Sequence, residues 1–432
     1  MHFSQVLIAT VAAIAPLANA HGSGVPRIIG LPPQARDLLH KIEARVAAVG
    51  HAHGSSLEAR QDKPECGPGV GSCPKGECCS RSGFCGSTGD YCYSPGCKYE
   101  FGPACAENNP PAGTNTSSIE RPKIGNISYG GTGIFRCVTP GTVALTYDDG
   151  PQKKFTSHIL DLFKSYNAKA TFFVTGNNIN KGQIDVEQEY IDVVKRMDSE
   201  KHQIASHTWT HLDLSAVSSV DRKNQLWMNE MALRNILGKI PTYMRPPYSS
   251  CTEKSGCEKD MADLGYHVTY FNLDTDDYNK NTAATIQFAK DWFTGNMTKN
   301  NAKPTTDKFL SITHDILEQT ANNLTEYMLS ELTKLGYKAV TVGECLGDPE
   351  ANWYRAADGY GNSTELNIKN NATSQGTGSG NGNANNTQAG DGTSSNTQNT
   401  PGTGAANQGF SSLGPLSVAG LVLFVSMFAT IF

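Results

Sequence analysis

The sequence predicts an α/β domain folded as a parallel barrel, joined to a small disulfide-rich module. Three observations carry that expectation. Between residues 137 and 347, short apolar and β-branched runs alternate with amphipathic ones, the pattern of repeated strand–helix units that leads to a parallel sheet. Eight of the 12 cysteines fall within residues 66–105, a stretch too short to bury a core of its own. Flanking segments are rich in Gly, Asn, Thr, Ser and Pro and poor in large apolar side chains, so they cannot supply one either.

The expected strands are 143–149 (VALTYDD), 170–176 (ATFFVTG), 203–208 (QIASHT), 241–246 (PTYMRP), 267–275 (HVTYFNLDT), 309–315 (FLSITHD) and 338–343 (KAVTVG). Unbroken apolar runs such as ATFFV suit strands covered on both faces. The expected helices are 155–167, 186–201, 221–238, 283–293 and 322–337. Seven strands alternating with helices suit a barrel or a doubly wound sheet, and the barrel is the reading adopted.

The chain ends carry their own signals. Residues 1–20 have an apolar middle and finish on Ala18-Asn19-Ala20, the small-x-small pattern of a signal peptide. Residues 21–64 are read as a propeptide or linker, 106–136 as a linker, and 348–408 as a Gly/Asn/Thr/Ser stalk. Residues 409–432 end in an apolar tail with no basic residue behind it, after a small-residue stretch. That fits a GPI-attachment signal, with Gly404 as the lipidated residue and Asn407 a second candidate. Sequons at Asn115, Asn126, Asn296, Asn323, Asn362, Asn371 and Asn385 suit a secreted glycoprotein. The formal net charge of −5 gives no reason to expect nucleic acid as a partner, and the chain is expected to be a monomer.

Chemically special residues gather at the carboxyl ends of the expected strands. Asp148 and Asp149 follow the first, His207 and His211 the third, Arg245 the fourth, Asp274 the fifth and His314 the sixth. In a parallel barrel those ends share one face, where active sites are built. Two imidazoles four residues apart and one carboxylate make a common catalytic metal set that leaves a position open. Zinc is the default ion, with cobalt also admitted by the donor set. The second carboxylate would then be free to accept a proton.

TYDDG (146–150), HTWTH (207–211), RPPYS (245–249), LDTDDY (273–278) and SITHD (311–315), in that order, resemble the five motifs of the polysaccharide deacetylase (NodB-like) family. The resemblance covers residues 137–347. It implies a distorted (β/α) barrel and metal-dependent removal of acetyl groups from a polysaccharide. It further implies Asp148 as general base, Asp149, His207 and His211 as ligands of a divalent zinc or cobalt ion, and Arg245 orienting Asp148. The Tyr248 backbone N–H would serve the oxyanion, and His314 would be the general acid, tuned by Asp274. Ser249 stands where the family has Gly and Tyr278 where Trp is common, which implies an altered pocket wall.

Eight cysteines allow about a hundred pairings by spacing alone. The CC pair, GFCG and STGDYC resemble the hevein-type chitin-binding domain over residues 65–105. The resemblance implies Cys66–Cys79, Cys73–Cys85, Cys78–Cys92 and Cys97–Cys105, with sugar contacts at Ser80, Phe84 and Tyr91. Of the remaining cysteines, Cys251 and Cys257 could pin a loop, and Cys137 with Cys345 could tie the ends of the large domain. Together the two resemblances imply chitin and chito-oligosaccharides as partners, a place in the cell wall or on the membrane through a GPI lipid, and a sugar-binding module held on a flexible linker. Alternatives are a catalytically silent wall-binding protein, or a deacetylase of acetyl xylan or peptidoglycan.

Overall fold

The computed structural model describes residues 65–357. The signal peptide, residues 21–64, the sequons at Asn362, Asn371 and Asn385, Gly404 and the apolar tail lie outside the described residues. Among the described residues, no helix is long and apolar enough to cross a membrane.

The disulfide module comes first. A two-strand antiparallel ladder, β1 (Cys78–Cys79) and β2 (Cys85–Gly86), is followed by one helical turn, α1 (Gly89–Cys92). Its interior is mostly sulfur. The bridges are Cys66–Cys79, Cys73–Cys85, Cys78–Cys92 and Cys97–Cys105. In the large domain Cys137 is joined to Cys345 and Cys251 to Cys257, so no described cysteine is free.

The large domain is a curled sheet whose main ladders are all parallel. The expected strand 143–149 is broken at Leu145 into β3 (Thr142–Ala144) and β4 (Thr146–Asp148). Then come α2 (Thr156–Ser165), β5 (Thr171–Val174), α3 (Gln188–Ser199), β6 (Gln203–Ser206) and α4 (Ser219–Leu237). Next are β7 (Lys239–Pro241), β8 (Tyr243–Met244), α5 (Cys257–Asp263), β9 (His267–Val268) and β10 (Leu273–Asp274). The domain continues with α6 (Ile286–Thr298), β11 (Phe309–His314), α7 (Thr325–Leu335), β12 (Lys338–Val340), α8 (Val342–Leu346) and β13 (Tyr354–Ala356).

Strand order is β12-β3-β11-β4-β5-β6-β8-β9, with β10 added on β11. The segment expected as one strand over 267–275 therefore starts bonded to β8 and ends bonded to β11. That change of partner carries the sheet round toward a barrel, while residues 270–272 belong to no strand. Here lies the distortion. All four residues of β5, TFFV, are buried, as a strand covered on both faces requires. Its Phe172 ring stacks on Tyr147, which meets Phe163 edge-on.

Three expectations need correcting. Residues 338–343 are strand only to Val340, because Thr341 and Glu344 form a capping box that starts α8. Residues 106–136 are no loose linker. Arg121 grips the buried Glu230 carboxylate at 2.7 and 2.8 Å, Thr116 donates to the same group at 2.6 Å, and Ile134 bridges to Thr269. A buried carboxylate on α4 needs such partners, and this polar segment provides them. Nor does the folded domain stop at 347. The Trp353 indole covers Gly343 so closely that a Cβ there would sit 1.9 Å from its nitrogen. β13 then pairs antiparallel with β7, and Asp348 accepts from the Tyr243 hydroxyl at 2.7 Å. A boundary at 348 would cut through this packing.

The sequon residues Asn115 and Asn126 are exposed, whereas Asn296 and Asn323 are half-buried with their amide nitrogens donating to Trp292 O and Gln319 Oε1.

Candidate active site

Parallel pairing brings the strand-end residues together. Asp148 at the end of β4 is in direct register with His314 at the end of β11 and with Phe173 of β5. Ser206, just before His207, is in register with Met244, just before Arg245. Asp148, Asp149, His207, His211, Arg245, Tyr248 and His314 accordingly line one cleft of about 220 Å³.

At its floor, Asp149 Oδ1 lies 3.1 Å from His211 Nε2 and 3.5 Å from His207 Nε2. His207 Nδ1 is 2.7 Å from the Arg245 carbonyl. A carbonyl can only accept, so that nitrogen carries the proton and Nε2 presents its lone pair to the site. Asp149 Oδ1 is buried without a hydrogen-bond partner, and a buried carboxylate oxygen facing two imidazole nitrogens fits a divalent cation. Although burial opposes its ionisation, His211 and His207 hold the Asp149 carboxyl below the usual carboxylate range. Burial, aided by His211, pushes the His207 imidazole well down, toward the neutral form a ligand must have.

Asp148 is clamped rather than open. Arg245 donates to its Oδ1 at 2.7 Å and, from the same nitrogen, to Thr146 Oγ1 at 2.6 Å. The rest of the guanidinium is spent on the carbonyls of Thr269 and Tyr270, and it stacks over Phe173 at 4.2 Å. Burial pushes the Asp148 carboxyl up, to about 6, against the opposing pull of Arg245. That makes it a base with strength near neutrality.

Beside Asp148, at the end of β11, His314 overturns one expectation. Its Nδ1 lies 2.8 Å from the Asp277 carboxylate, and Asp277 also accepts from the His314 backbone N–H. Asp274, assigned that role above, instead accepts from the Tyr278 hydroxyl and the Asp276 N–H. The reason is local: Asp277 opens a 3-10 turn at the end of β10, and that turn folds it back under His314. Burial alone would lower His314, but the Asp277 charge and hydrogen bond outweigh it and raise the imidazole to about 10. The Tyr278 ring stands edge-on to His314 at 5.5 Å.

Several site residues hold backbone conformations that side chains disfavour. Asp149, His211, Tyr248 and Ser249 have φ of 77°, 65°, 58° and 53°. Left-handed non-glycine residues concentrate at functional sites, and Ser249 occupies the position where a glycine would sit without strain. The Tyr248 ring packs edge-on to His211 at 4.6 Å.

Lys181 and Asp315 carry no assignment from sequence. Lys181 donates to the carbonyls of Asp149 and Gly150 and to Thr175 Oγ1, holding the turn that carries Asp149. Asp315 accepts from Thr156 at 2.7 Å. Burial pushes Asp315 up and Lys181 down. Asp315 adjoins a motif histidine, but no spacing in the sequence points to Lys181.

In the module, Ser80 is buried and its hydroxyl accepts from the Phe84 N–H at 3.1 Å, while Phe84 and Tyr91 are partly exposed.

The family model for polysaccharide deacetylase matches residues 136–269. A chitin deacetylase of Colletotrichum lindemuthianum is 42% identical over 246 residues, covering 56% of this chain and 93% of that protein. A chitin deacetylase of Pestalotiopsis sp is 40% identical over 245 residues, covering 57% and 76%. A probable peptidoglycan-N-acetylglucosamine deacetylase of Arthroderma benhamiae is 38% identical over 223 residues, covering 51% and 48%. Among solved structures, that of the chitin deacetylase from Colletotrichum lindemuthianum is similar with a TM-score of 0.49 at 42% identity, covering 52% of this chain and 96% of that one.

Proposed function

The chain belongs to the polysaccharide deacetylase family, and on that premise we propose that it hydrolyses the N-acetyl groups of N-acetylglucosamine units in chitin, giving acetate and free amine. The observation that carries the reading is that Asp148 and His314, in register at the ends of β4 and β11, line one cleft together with the Asp149–His207–His211 set. Amide hydrolysis needs a base for water, a charge-stabilising site for the oxyanion and an acid for the amine. All three have candidates here, which argues against a silent barrel.

Asp149, His207 and His211 are the residues that would hold a divalent cation, zinc or cobalt, whose Lewis acidity polarises the acetyl carbonyl and acidifies water. Asp148, kept in place by Arg245, takes the proton from the attacking water. Its raised pKa suits that task. The Tyr248 backbone N–H is assigned to the oxyanion. Its left-handed φ sets that peptide's orientation at the rim. His314 stays protonated because Asp277 faces its Nδ1, leaving Nε2 to protonate the leaving nitrogen. The C–N bond breaks, and the carbonyl carbon leaves as acetate.

The hevein-like module favours chitin over acetyl xylan or peptidoglycan, since Phe84 and Tyr91 can stack on N-acetylglucosamine faces. Pairing of every described cysteine suits an oxidising, extracellular setting. N-glycosylation and a GPI lipid at Gly404 rest on sequence alone, and release from membranes by a phosphatidylinositol-specific phospholipase tests the lipid. The functional test is acetate release from chitin oligomers, acetylated xylan and peptidoglycan side by side. The reading expects the chitin oligomers to be the best substrate, and a clear preference for either alternative overturns it.

A further inference from the structure

The sugar-binding module was expected to hang on a flexible linker, yet it is bonded to two loops next to the cleft, 175–181 and 207–211. The Ser94 carbonyl accepts from the Ile179 N–H at 2.7 Å, and the Gly89 carbonyl accepts from Asn180 Nδ2 at 2.8 Å. Ile179 and Asn180 have φ of 48° and 58°. For a β-branched residue that is a true outlier, kept only where surroundings over-determine it. Both strained residues spend their polar groups on the module. A second anchor lies inside the metal-site loop. Trp209, between His207 and His211, is fully buried over Gly176, and its indole N–H donates to the Ala106 carbonyl at 2.8 Å. Ala106 directly follows the last module cysteine. Behind the contact, Glu107 is buried and accepts from the Ser94 hydroxyl at 3.0 Å, tying the module to this segment.

These bonds bring Tyr93 beside the site. It closes α1, the turn that carries Tyr91, and its neighbour Ser94 sits on Ile179. The same 175–181 loop holds the Asp149 carbonyl through Thr175 and Lys181. Tyr93 is thus one contact layer from a metal-site residue, while remaining 47% exposed. Burial, together with the nearby Asp149 carboxylate, pushes its phenol up. An aromatic face held rigidly and left in solvent beside a polysaccharide cleft is placed to stack on a sugar ring.

Resting on the deacetylase reading above, we propose that the module is fixed beside the cleft and that Tyr93 binds an N-acetylglucosamine unit adjoining the one being hydrolysed, on the Asp149 side. The cavity's own lining ends short of Tyr93. The contact should therefore be felt by chains long enough to leave the cavity and not by the shortest ones.

The test uses the full-length, metal-loaded enzyme with chitin dimer and pentamer, reading kcat and KM separately. Tyr93→Ala should raise KM for the pentamer about ten-fold, leave kcat within about two-fold, and leave the dimer unchanged. Tyr93→Phe, which keeps the stacking face, should restore the pentamer KM. Retention on solid chitin through Phe84 and Tyr91 reports that the variant module is folded. An unchanged pentamer KM in Tyr93→Ala, an equal loss on the dimer, or a Phe variant as impaired as Ala would each overturn the assignment. A wild-type holoenzyme that releases no acetate from either oligomer would instead overturn the deacetylase reading, and the Tyr93 assignment with it.

Discussion

The barrel and the disulfide module hold their working side chains by different means. Asp148 is kept in place by a buried guanidinium that also bonds Thr146, Thr269 and Tyr270, so the clamp ties together β4, β8 and the segment after β9. Phe84 and Tyr91 lie in a module where four disulfides replace most of an apolar core. The first arrangement concentrates charge in a buried site, where a single atom changes protonation and rate. The second leaves the aromatic side chains partly in solvent, where on the proposed reading each would contribute a modest contact and no chemistry. Substitutions in the barrel should therefore act on turnover, and those on the module's outer face on retention.

The largest effect is expected at the clamp. Asp148→Asn keeps shape and metal but cannot accept a proton, and kcat should fall by about 10²–10⁴-fold with KM little changed. Near-normal turnover would place the base elsewhere and erase the contrast.

A smaller effect separates Asp277 from Asp274. Asp148 must be ionised and His314 protonated, so kcat/KM should rise as pH passes about 6 and fall as His314 loses its proton toward about 10. Asp277 sustains the upper limit by favouring the imidazolium. In Asp277→Asn, burial is no longer outweighed, the His314 pKa drops, and the alkaline limb should move to lower pH by at least about one unit. Asp274→Asn should leave that limb in place. A pH–rate profile of both variants checks the correction.

The smallest effect lies on the module's outer face. Phe84→Ala combined with Tyr91→Ala should weaken retention on solid chitin by a few fold while leaving chitin-dimer hydrolysis unchanged. Equal losses on both would mean that this face enters the active site directly.

The same contrast explains what could be read from sequence. Strand ends were legible because parallel strands with helical returns put TYDD, HTWTH, RPP and SITH on one rim, whatever the exact register. The motif LDTDDY was ambiguous for a physical reason. Three carboxylates fall within four residues, and only the 3-10 turn at 277–279 decides that Asp277 meets His314. Residues 106–136 looked like a linker because composition registers what a segment lacks. It does not register that Thr116 and Arg121 answer a buried Glu230 on α4. Trp353 and Tyr354 were lost to the stalk by proximity to a Gly- and Asn-rich run, although two large aromatic side chains in succession signal burial. Docking of the module had no signal in sequence, since it depends on left-handed turns at Ile179 and Asn180.

Metal occupancy measured together with acetate release tests the central claim most directly, comparing wild type with Asp149→Ala, His207→Ala and His211→Ala. The account predicts that the wild type binds zinc or cobalt, loses acetate release from chitin oligomers on chelation, and regains it when either ion is restored. Each variant should lose metal and activity together. Acetate release that survives chelation, or an Asp149→Ala protein that keeps both its metal and its turnover, would contradict it.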